Sequence, residues 1–395
     1  MVNEKCYELG TAPNAIRELS EFGQQKAKIV GEENIYDFSL GNPSVPAPAV
    51  VDESIKAVLD ELDTRKVHGY SSAAGFEETR AAIAADLNNR FGVGAKASEL
   101  FLTCGAAPAV ISVIKALAVS PESEIMLVAP YFSEYKPYVT ANNARAVIVP
   151  ADTASFQINF SRVESLITKN TQAIIINSPN NPSGVVYTAE TIAHLGEILT
   201  RKSKDFGHPI YIISDEPYRE LVYGDVVVPF IPKIYKNTIV CYSYSKSLSL
   251  PGERIGYVYV PGFADDSAAV YASVAGAARI CGHICPPTLI QHMLARCADV
   301  MPDLELYNTN RTLLYEGLRE IGYECAKPDG AFYLFVKAPN GNALEFSDIA
   351  KREEGLLVVP GDGFGCPGFF RLSYCVPTEM IQRSFPAFKN MFERF

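Results

Sequence analysis

One lysine of this chain lies in a segment whose residue types suit covalent chemistry. The segment Thr238–Val260 contains two short apolar runs, Ile239–Tyr242 and Ile255–Val260, which are rich in β-branched and aromatic residues and predict buried strands. Lys246 lies between these runs, so we expect it on a tight connection at the edge of a sheet. Desolvation and a nearby cation lower the pKa of a lysine, and its neutral amine is then a nucleophile.

The polar neighbours of Lys246 suit a phosphate group. Arg254 does not lose its proton, and together with the hydroxyl groups of Ser243 and Ser245 it is suited to binding an anion. A reactive amine beside a phosphate-binding site is what pyridoxal 5′-phosphate (PLP) requires. Most Ser-x-x-Lys segments are solvated loops, so this segment by itself leaves that plainer alternative open.

A second phosphate-binding arrangement follows the predicted strand Leu100–Thr103. The residues Gly105, Ala106 and Ala107 lead from that strand into a helix, so that free backbone amides and the helix dipole would face an anion. The Walker lysine and the GxGxxG pattern are both absent, which argues against a nucleotide as the ligand.

The elements that must position these residues alternate along the chain. Between residues 100 and 260, short apolar strands alternate with helices, which predicts a mainly parallel, doubly wound sheet. Ligands of such sheets lie beyond the carboxyl ends of the strands. The loops that we expect at that edge are 104–108, 130–133, 178–184, 215–218 and 243–254.

The flanking segments predict a second, smaller domain. After residue 260 strands and helices no longer alternate strictly, which favours an α+β arrangement, and the N-terminal segment opens with a predicted helix over residues 14–27. We therefore predict an α/β protein with a large doubly wound domain and a smaller α+β domain built from the N- and C-terminal segments. The expected divisions are an N-terminal arm that contributes to the small domain (1–48), a large cofactor-binding domain (49–284) and a small C-terminal domain (285–395).

The composition is that of a chain with a large packed core. Of the 395 residues, 48% are hydrophobic and 20% are charged, which favours ordered domains. The formal charge of −10 provides no basic excess for nucleic acid. Since no leader pattern opens the chain and no apolar run approaches the roughly 20 residues of a membrane helix, we expect a cytoplasmic protein without nucleic-acid or membrane partners.

The nine cysteines are odd in number and scattered, which favours buried free thiols. The spacing of Cys281 and Cys285 would place both on one helix face, yet no second pair accompanies them and the spacing of zinc ligands is missing. We therefore expect no metal site.

Four motifs occur in one order and together resemble the class I/II aminotransferases, which are PLP enzymes of fold type I. The resemblance covers nearly the whole chain and implies ping-pong transfer of an amino group between an L-amino acid and a 2-oxo acid. The motifs are Asn-x-Pro-x-Gly at 180–184, Ser-Asp-Glu-x-Tyr at 214–218, Ser-x-Ser-Lys at 243–246 with Arg254 eight residues later, and Phe-Arg-Leu-Ser-Tyr at 370–374.

The resemblance implies three catalytic residues. Lys246 would hold the cofactor covalently and then carry a proton between the substrate and the cofactor. Asp215 would pair with the protonated pyridine nitrogen, which keeps the ring an electron sink. Tyr218, aided by Asn181, would hydrogen-bond the phenolic oxygen of the ring.

The resemblance also implies how the rest of the cofactor is held. Tyr70 is similar to a tyrosine that reaches the phosphate from the other subunit of a homodimer, although a core tyrosine is the alternative. Phe132 is similar to the aromatic residue that stacks on the ring, with Tyr131 as the alternative. The implied phosphate-binding groups are the backbone amides of Gly105, Ala106 and Ala107 and the side chains of Ser243, Ser245 and Arg254.

Substrate binding is implied for Arg371, whose bidentate fork would hold the α-carboxylate with help from Asn181 and the amide of Gly41. In aspartate-type relatives a cation of the partner subunit binds the distal carboxylate. Arg279 is the candidate here and His283 lies nearby, but Arg279 is equally suited to stabilising the end of the predicted helix 264–279.

The substrate pair that the resemblance favours is aspartate with 2-oxoglutarate, ahead of alanine or aromatic donors. A PLP-dependent C–S β-lyase on the same fold would keep Lys246 and Asp215, so it stays open as an alternative.

Overall fold

A seven-stranded sheet forms the centre of the molecule, and two smaller sheets accompany it. The structure is a computed structural model, and it describes residues 1–12 and 15–395. Asn14, at which we expected the first long helix to begin, lies outside the described residues. The strands are β1 (Tyr36–Asp37), β2 (Leu100–Thr103), β3 (Glu124–Val128), β4 (Arg145–Val149), β5 (Thr171–Asn177), β6 (Tyr211–Asp215), β7 (Thr238–Ser243), β8 (Gly256–Tyr259), β9 (Tyr333–Lys337), β10 (Leu356–Leu357), β11 (Val359–Pro360) and β12 (Phe369–Ser373).

Helices cover both faces of the large sheet and surround the smaller ones. Within the described residues the helices are α1 (Glu4–Thr11), α2 (Ala15–Val30), α3 (Ala49–Glu61), α4 (Thr64–His68), α5 (Glu77–Phe91), α6 (Ala106–Leu117), α7 (Tyr135–Ala141), α8 (Phe160–Leu166), α9 (Ala189–Phe206), α10 (Tyr244–Ser247), α11 (Ser267–Cys281), α12 (Thr288–Leu294), α13 (Glu305–Ile321), α14 (Ala343–Ile349) and α15 (Thr378–Arg394). None of the described helices has the length and apolar character needed to cross a membrane.

The strand order of the large sheet is β2-β8-β7-β6-β5-β3-β4. Pairing is parallel from β7 to β4, whereas β8 runs antiparallel to both of its neighbours, β2 and β7. This topology confirms the predicted α/β fold with a mainly parallel sheet. Because β2, β3, β5, β6 and β7 all point the same way, their carboxyl ends lie at one edge, where the five predicted loops begin.

Packing explains why these short runs form strands. The central strands β5, β6 and β7 are almost entirely buried: α6 packs on one face of all three, while α9 covers the other face of β5 and β6, and α5 and α12 cover that of β7. Strands covered on both faces read as continuous apolar runs rather than as alternating ones, as in Ile239–Tyr242.

The two ends of the chain meet in the smaller sheets. The N-terminal strand β1 pairs in parallel with β10, and β9, β11 and β12 form an antiparallel sheet. This arrangement confirms a smaller α+β unit built from both terminal segments. The divisions at residues 48 and 284 stay a prediction; α12, which follows the second of them, packs against α3 and α5 beside the large sheet.

Three local expectations were wrong. Lys246 lies in the single helical turn α10 rather than on a loop, because the Ser243 side chain accepts a 3.1 Å hydrogen bond from the amide of Ser245 and so caps the turn. The amphipathic pattern of residues 50–66 predicts one continuous helix, but the structure divides it into α3 and α4, since Asp63 caps a new helix. The helix α11 ends at Cys281, so Cys285 lies outside it and the two thiols share no helix face.

Candidate active site

A cavity of about 300 Å³ opens at the carboxyl edge of the large sheet. The loops after five strands supply most of its wall, and residues of the smaller unit and of the N-terminal segment complete it. The predicted site residues that line it are Gly41, Ala106, Ala107, Phe132, Asn181, Asp215, Tyr218, Ser243, Ser245, Lys246, Arg254 and Arg371.

Lys246 projects into this cavity from α10. Its Nζ donates a 2.7 Å hydrogen bond to the carbonyl oxygen of Gly41. Burial is the main cause that lowers the pKa of Lys246 to about 8; the thiol of Cys375 opposes the shift, and the positive charges of Arg371 and Arg254 add to it. Near neutral pH the neutral, nucleophilic amine is therefore the minor form, but its fraction is far larger than that of a solvated lysine.

Asp215 ends β6 and presents one carboxylate oxygen without a partner. The hydroxyl group of Tyr135 donates a short hydrogen bond to Oδ2, while the buried Oδ1 has no partner among the described residues. Burial raises the pKa of Asp215 to about 7; the bond from Tyr135 opposes this and the charge of Glu216 adds to it. Buried polar atoms are nearly always paired, so this oxygen suits a donor supplied by a ligand, such as a protonated ring nitrogen.

Arg371 belongs to β12 and is only 2% exposed, and two hydrogen bonds fix its guanidinium group. Nη1 donates to Oδ1 of Asn181 at 2.9 Å, and Nη2 donates to the carbonyl oxygen of Ser39 at 2.7 Å. The guanidinium carbon lies 4.6 Å from the ring centroid of Tyr333, and the buried Nε has no partner among the described residues. Such a fixed, buried cation matches the planar geometry of a carboxylate.

An anion-binding corner lies at the start of α6. Gly105 precedes the helix with φ +95°, and a Cβ built on it would lie 2.8 Å from Nη2 of Arg254, so the guanidinium lies directly over this glycine. The hydroxyl groups of Ser243 and Ser245 are 2.6 Å apart beside it. Free helix amides, an arginine and two hydroxyl groups are the donor set that a phosphate monoester requires.

Three residues of the site were not predicted from the sequence. Tyr333 hydrogen-bonds Tyr218 through their hydroxyl groups at 2.9 Å, Tyr135 pairs with Asp215, and Asn177 donates to the Asp215 carbonyl oxygen at 2.9 Å. All three lie in or beside strands and helices whose apolar pattern indicated only core. The signal available was that Asn177 is a polar residue at the carboxyl end of a parallel strand.

Five predicted residues lie outside the cavity wall of a single chain, and one of them, Gly105, precedes α6 beneath the guanidinium of Arg254. Tyr70 is 96% exposed, so the alternative of a core tyrosine is wrong. Arg279 is exposed in the last turn of α11, and His283 follows that helix. Tyr131 is buried with its ring against Gly365, whereas Phe132 lines the cavity.

The fold and the cavity define a class of protein. An α/β sheet carries at one edge a partly buried lysine, a carboxylate oxygen that lacks a donor, an anion-binding corner and an arginine fork. These residues fit PLP: the amine suits its aldehyde, the carboxylate its ring nitrogen and the corner its phosphate. The class is therefore that of the PLP-dependent enzymes of fold type I.

Comparison with known proteins gives the family: the chain belongs to aminotransferase class I and II, whose family model matches residues 33–387. It is 29% identical over 369 residues to an aspartate aminotransferase of Streptomyces avermitilis, covering 87% of this chain and 86% of the relative. It is 27% identical over 388 residues to aromatic-amino-acid aminotransferase 2 of Thermococcus litoralis, covering 94% of each chain.

Among solved structures, an amino transferase of Eubacterium rectale matches with a TM-score of 0.98 at 53% identity, covering 100% of this chain and 99% of that one. The aspartate aminotransferase of Thermotoga maritima matches with a TM-score of 0.87 at 26% identity, covering 99% of this chain and 100% of that one. The predicted family, enzyme class and PLP cofactor are confirmed: the chain is a PLP-dependent transaminase that acts on amino acids and 2-oxo acids.

Proposed function

We propose that this transaminase takes the amino group of an aspartate-like L-amino acid and transfers it to a 2-oxo acid such as 2-oxoglutarate. The observation that carries the proposal is the buried Arg371 fork, which faces the same cavity as Lys246. Arg371 is suited to binding a carboxylate and Lys246 is suited to the chemistry of an amino group, so the two side chains together match an α-amino acid. The names of the relatives in Streptomyces avermitilis and Thermotoga maritima support the aspartate-like choice.

The proposed chemistry divides between the cofactor and four residues of the chain. PLP, when bound, withdraws electrons from the α-carbon and so makes its proton acidic. Lys246 would hold the cofactor and afterwards move that proton, a role of general base and acid that is worth roughly 10²–10⁴ in rate. Asp215 would keep the ring nitrogen protonated, and Tyr218 with Asn181 would hydrogen-bond the phenolic oxygen.

The remaining residues would bind and orient. Phe132 would lie against the ring, while Arg371 would hold the α-carboxylate with Asn181 and the Gly41 amide. A mispositioned substrate loses rate steeply, which is why a rigid buried arginine is valuable here. The phosphate would be bound by the amides of Gly105, Ala106 and Ala107 and by Ser243, Ser245 and Arg254.

A second copy of the chain would complete the site, so we propose a homodimer with shared active sites, located in the cytoplasm. The ring of Tyr70 is almost fully exposed on one chain, and a partner would cover it and receive its hydroxyl group near the phosphate. Arg279, with His283 as the alternative, would reach the distal carboxylate of the substrate from the partner. The competing role for Arg279 is to stabilise the carboxyl end of α11, where a cation is favourable.

A neutral or aromatic donor is the second candidate, and the cavity wall favours it. Among the described residues, the cations that line the cavity are Lys246, Arg254 and Arg371, and each has a proposed role near the reacting centre. The rest of the wall includes Ile16 and Val110, which offer a distal carboxylate no charge. No observation favours a C–S β-lyase, which stays an alternative.

A spectroscopic titration tests the proposal. The purified protein is loaded with PLP, and its visible absorption is followed as L-aspartate, L-alanine and L-phenylalanine are added in separate experiments. We expect aspartate to convert the bound cofactor into its amine form at the lowest concentration. If phenylalanine or alanine converts it and aspartate does not, the neutral-donor candidate replaces the first. Release of pyruvate and ammonia from a cystathionine-like substrate would support the lyase instead.

A further inference from the structure

A second cluster of charges lies behind the two central residues of the site. We call it the ion cluster; its buried members are Asp86, Glu216, Arg219 and Glu220, and Arg90 lies at its exposed rim. Glu216 directly follows Asp215 in the chain. Because successive residues at a strand end point to opposite faces, Asp215 faces the cavity while Glu216 faces the cluster.

Glu216 depends on Arg219 for its balancing charge. Its Oε1 accepts a 2.5 Å hydrogen bond from the Ser214 hydroxyl, and its Oε2 accepts one from Nε of Arg219. The side chains of Arg219 and Glu216 are only 2% and 4% exposed, so solvent screens neither charge. Arg219 is held in turn by the hydroxyl group of Tyr257 at 3.1 Å and by the ring of Tyr242, whose centroid is 4.5 Å from the guanidinium carbon.

The other end of the cluster touches the turn that carries Lys246. The hydroxyl group of Tyr242 donates to Glu220 at 2.8 Å and shares a 2.9 Å hydrogen bond with Ser247, the residue after Lys246. Glu220 also accepts a 2.6 Å hydrogen bond from Arg90. The cluster therefore contains the chain neighbour of Asp215, Glu216, and reaches the chain neighbour of Lys246, Ser247, through Tyr242.

We propose that Arg219 is a positioning residue: by pairing with Glu216 it offsets that buried charge and so keeps Asp215 ionised toward the ring nitrogen of the cofactor. The inference rests on the proposed role of Asp215. An unpaired carboxylate one residue away, in a medium of low dielectric, would disfavour a second negative charge on Asp215.

The other titratable groups around Asp215 leave Glu216 as the relevant charge. Tyr135 and Tyr138 face Asp215 from α7, Cys241 faces it from β7, and Tyr218 lies in the loop that follows it. Burial raises the pKa of each of these four groups, so all are neutral at working pH. Burial is also the main cause that raises the pKa of Asp215, and the charge of Glu216 adds to that shift.

The test is calorimetric binding of pyridoxamine 5′-phosphate, the amine form of the cofactor, which cannot bond covalently to Lys246. Affinity is measured across the pH range in which Asp215 titrates, for the unaltered protein, Arg219→Met and Glu216→Gln. The ligand's own titration is common to all variants. The midpoint is the pH at which affinity is half-way between its low-pH and high-pH limits. We expect Arg219→Met to raise this midpoint by about one pH unit, so that binding at a pH below the midpoint is roughly tenfold weaker than in the unaltered protein. Glu216→Gln leaves Arg219 unpaired, so its midpoint should fall.

Midpoints that shift in opposite directions in Arg219→Met and Glu216→Gln indicate an electrostatic effect. A loss of packing would instead weaken binding in both variants without moving their midpoints apart. The double variant Glu216→Gln/Arg219→Met should return near the original midpoint. Arg90→Met breaks the neighbouring pair with Glu220, in which the arginine side chain is 26% exposed, and it leaves Glu216 untouched, so its midpoint should stay unchanged.

Two results would overturn the inference: midpoints that do not move, or midpoints of Arg219→Met and Glu216→Gln that move in the same direction. If Arg219→Met does not fold, Glu216→Gln still decides, because a midpoint that fails to fall contradicts the proposal. The variant Asp215→Asn distinguishes a failure of the proposed role of Asp215 from a failure of the inferred role of Arg219. If that variant binds with unaltered affinity and pH dependence, the proposed role of Asp215 fails; if it loses the pH dependence while the other variants show no shift, only the role of Arg219 fails.

Discussion

The Nζ of Lys246 donates a 2.7 Å hydrogen bond to the carbonyl oxygen of Gly41, a residue 205 positions earlier in the chain. The contact ties the N-terminal segment to the carboxyl edge of the large sheet. Gly41 leaves no room for a side chain, since a Cβ there would lie 2.1 Å from the hydroxyl oxygen of Tyr333. The cavity is therefore closed on this side by backbone, which brings a carbonyl group within reach of the amine.

Replacing Lys246 tests the assignment of the covalent lysine. Lys246→Ala should bind PLP without a covalent bond and lose turnover, because no amine remains to hold the cofactor or to move the α-proton. The measurement is borohydride reduction followed by mass spectrometry. Lys26→Ala is the matched control, since Lys26 also donates to backbone carbonyl groups far away in the chain. Cofactor still fixed to Lys246→Ala after reduction would show that another lysine is the attachment point.

The pH dependence of cofactor capture should report on the lowered pKa of Lys246. Burial lowers that pKa to about 8, so the neutral amine is the minor form below pH 8 and the major form above it. We expect the rate of covalent PLP binding to rise through that region and then level off. Stopped-flow absorbance with cofactor-free protein measures it. A rate that keeps rising toward the ordinary lysine pKa of about 10.4 would show that the amine is solvated.

Asp215 should make the cofactor-free protein less stable at high pH. Its folded-state pKa of about 7 lies above the ordinary value of 3.8, so the folded state binds more protons than the unfolded state between these values. The contribution of Asp215 to stability is present below pH 3.8 and is lost as the pH rises through 7. Asp215→Asn should therefore raise the free energy of unfolding at pH 8 by about 4 kcal/mol relative to its effect near pH 4, since the two pKa values differ by about three units.

Urea denaturation of the cofactor-free proteins at both pH values measures this difference. A variant that is equally stabilised, or destabilised, at the two pH values would contradict the assignment of a buried ionised carboxylate. The same substitution should weaken binding of the cofactor, so stability and function would change in opposite directions.

Arg371→Lys should weaken substrate binding although it keeps the charge. Lysine cannot reproduce the two bonds to Asn181 and Ser39 or offer a planar fork, and we expect a loss of about 2 kcal/mol, roughly thirtyfold in KM for the amino acid. Steady-state kinetics with both substrates measures it. Arg145→Lys, which alters an exposed ion pair with Glu122, is the control and should change nothing. An unchanged KM in Arg371→Lys would move the carboxylate site elsewhere.

Arg279→Ala should weaken aspartate far more than alanine, because only aspartate has a distal carboxylate that would lose its partner. His283→Ala is the parallel variant, since His283 is the other candidate. KM values for the two amino acids in each variant give the comparison. If Arg279→Ala affects both amino acids equally, Arg279 serves α11 and does not serve the substrate.

The site motifs could be predicted because each is local. Asp215 ends one short apolar strand and Lys246 closely follows another, and the alternation of strands and helices implied one sheet edge for both. The order of the motifs then implied the family and the cofactor. The sequence did not predict that residues 244–247 form a helical turn instead of a loop. A single hydrogen bond, from the Ser245 amide to the Ser243 side chain, caps this turn, and the residue types of the segment are compatible with either conformation.

The sequence by itself thus determined the class of the protein, because the strand-ending motifs and their order carry the resemblance to the fold type I transaminases. Only the tertiary structure decided which groups share the cavity. Tyr333 meets Tyr218 across 115 positions, and Tyr135 meets Asp215 across 80. The pairing of Arg219 with Glu216 beside Asp215 depends on burial in the same way. Such contacts arise from the packing of distant segments, and the local pattern of each segment carries no trace of its partner.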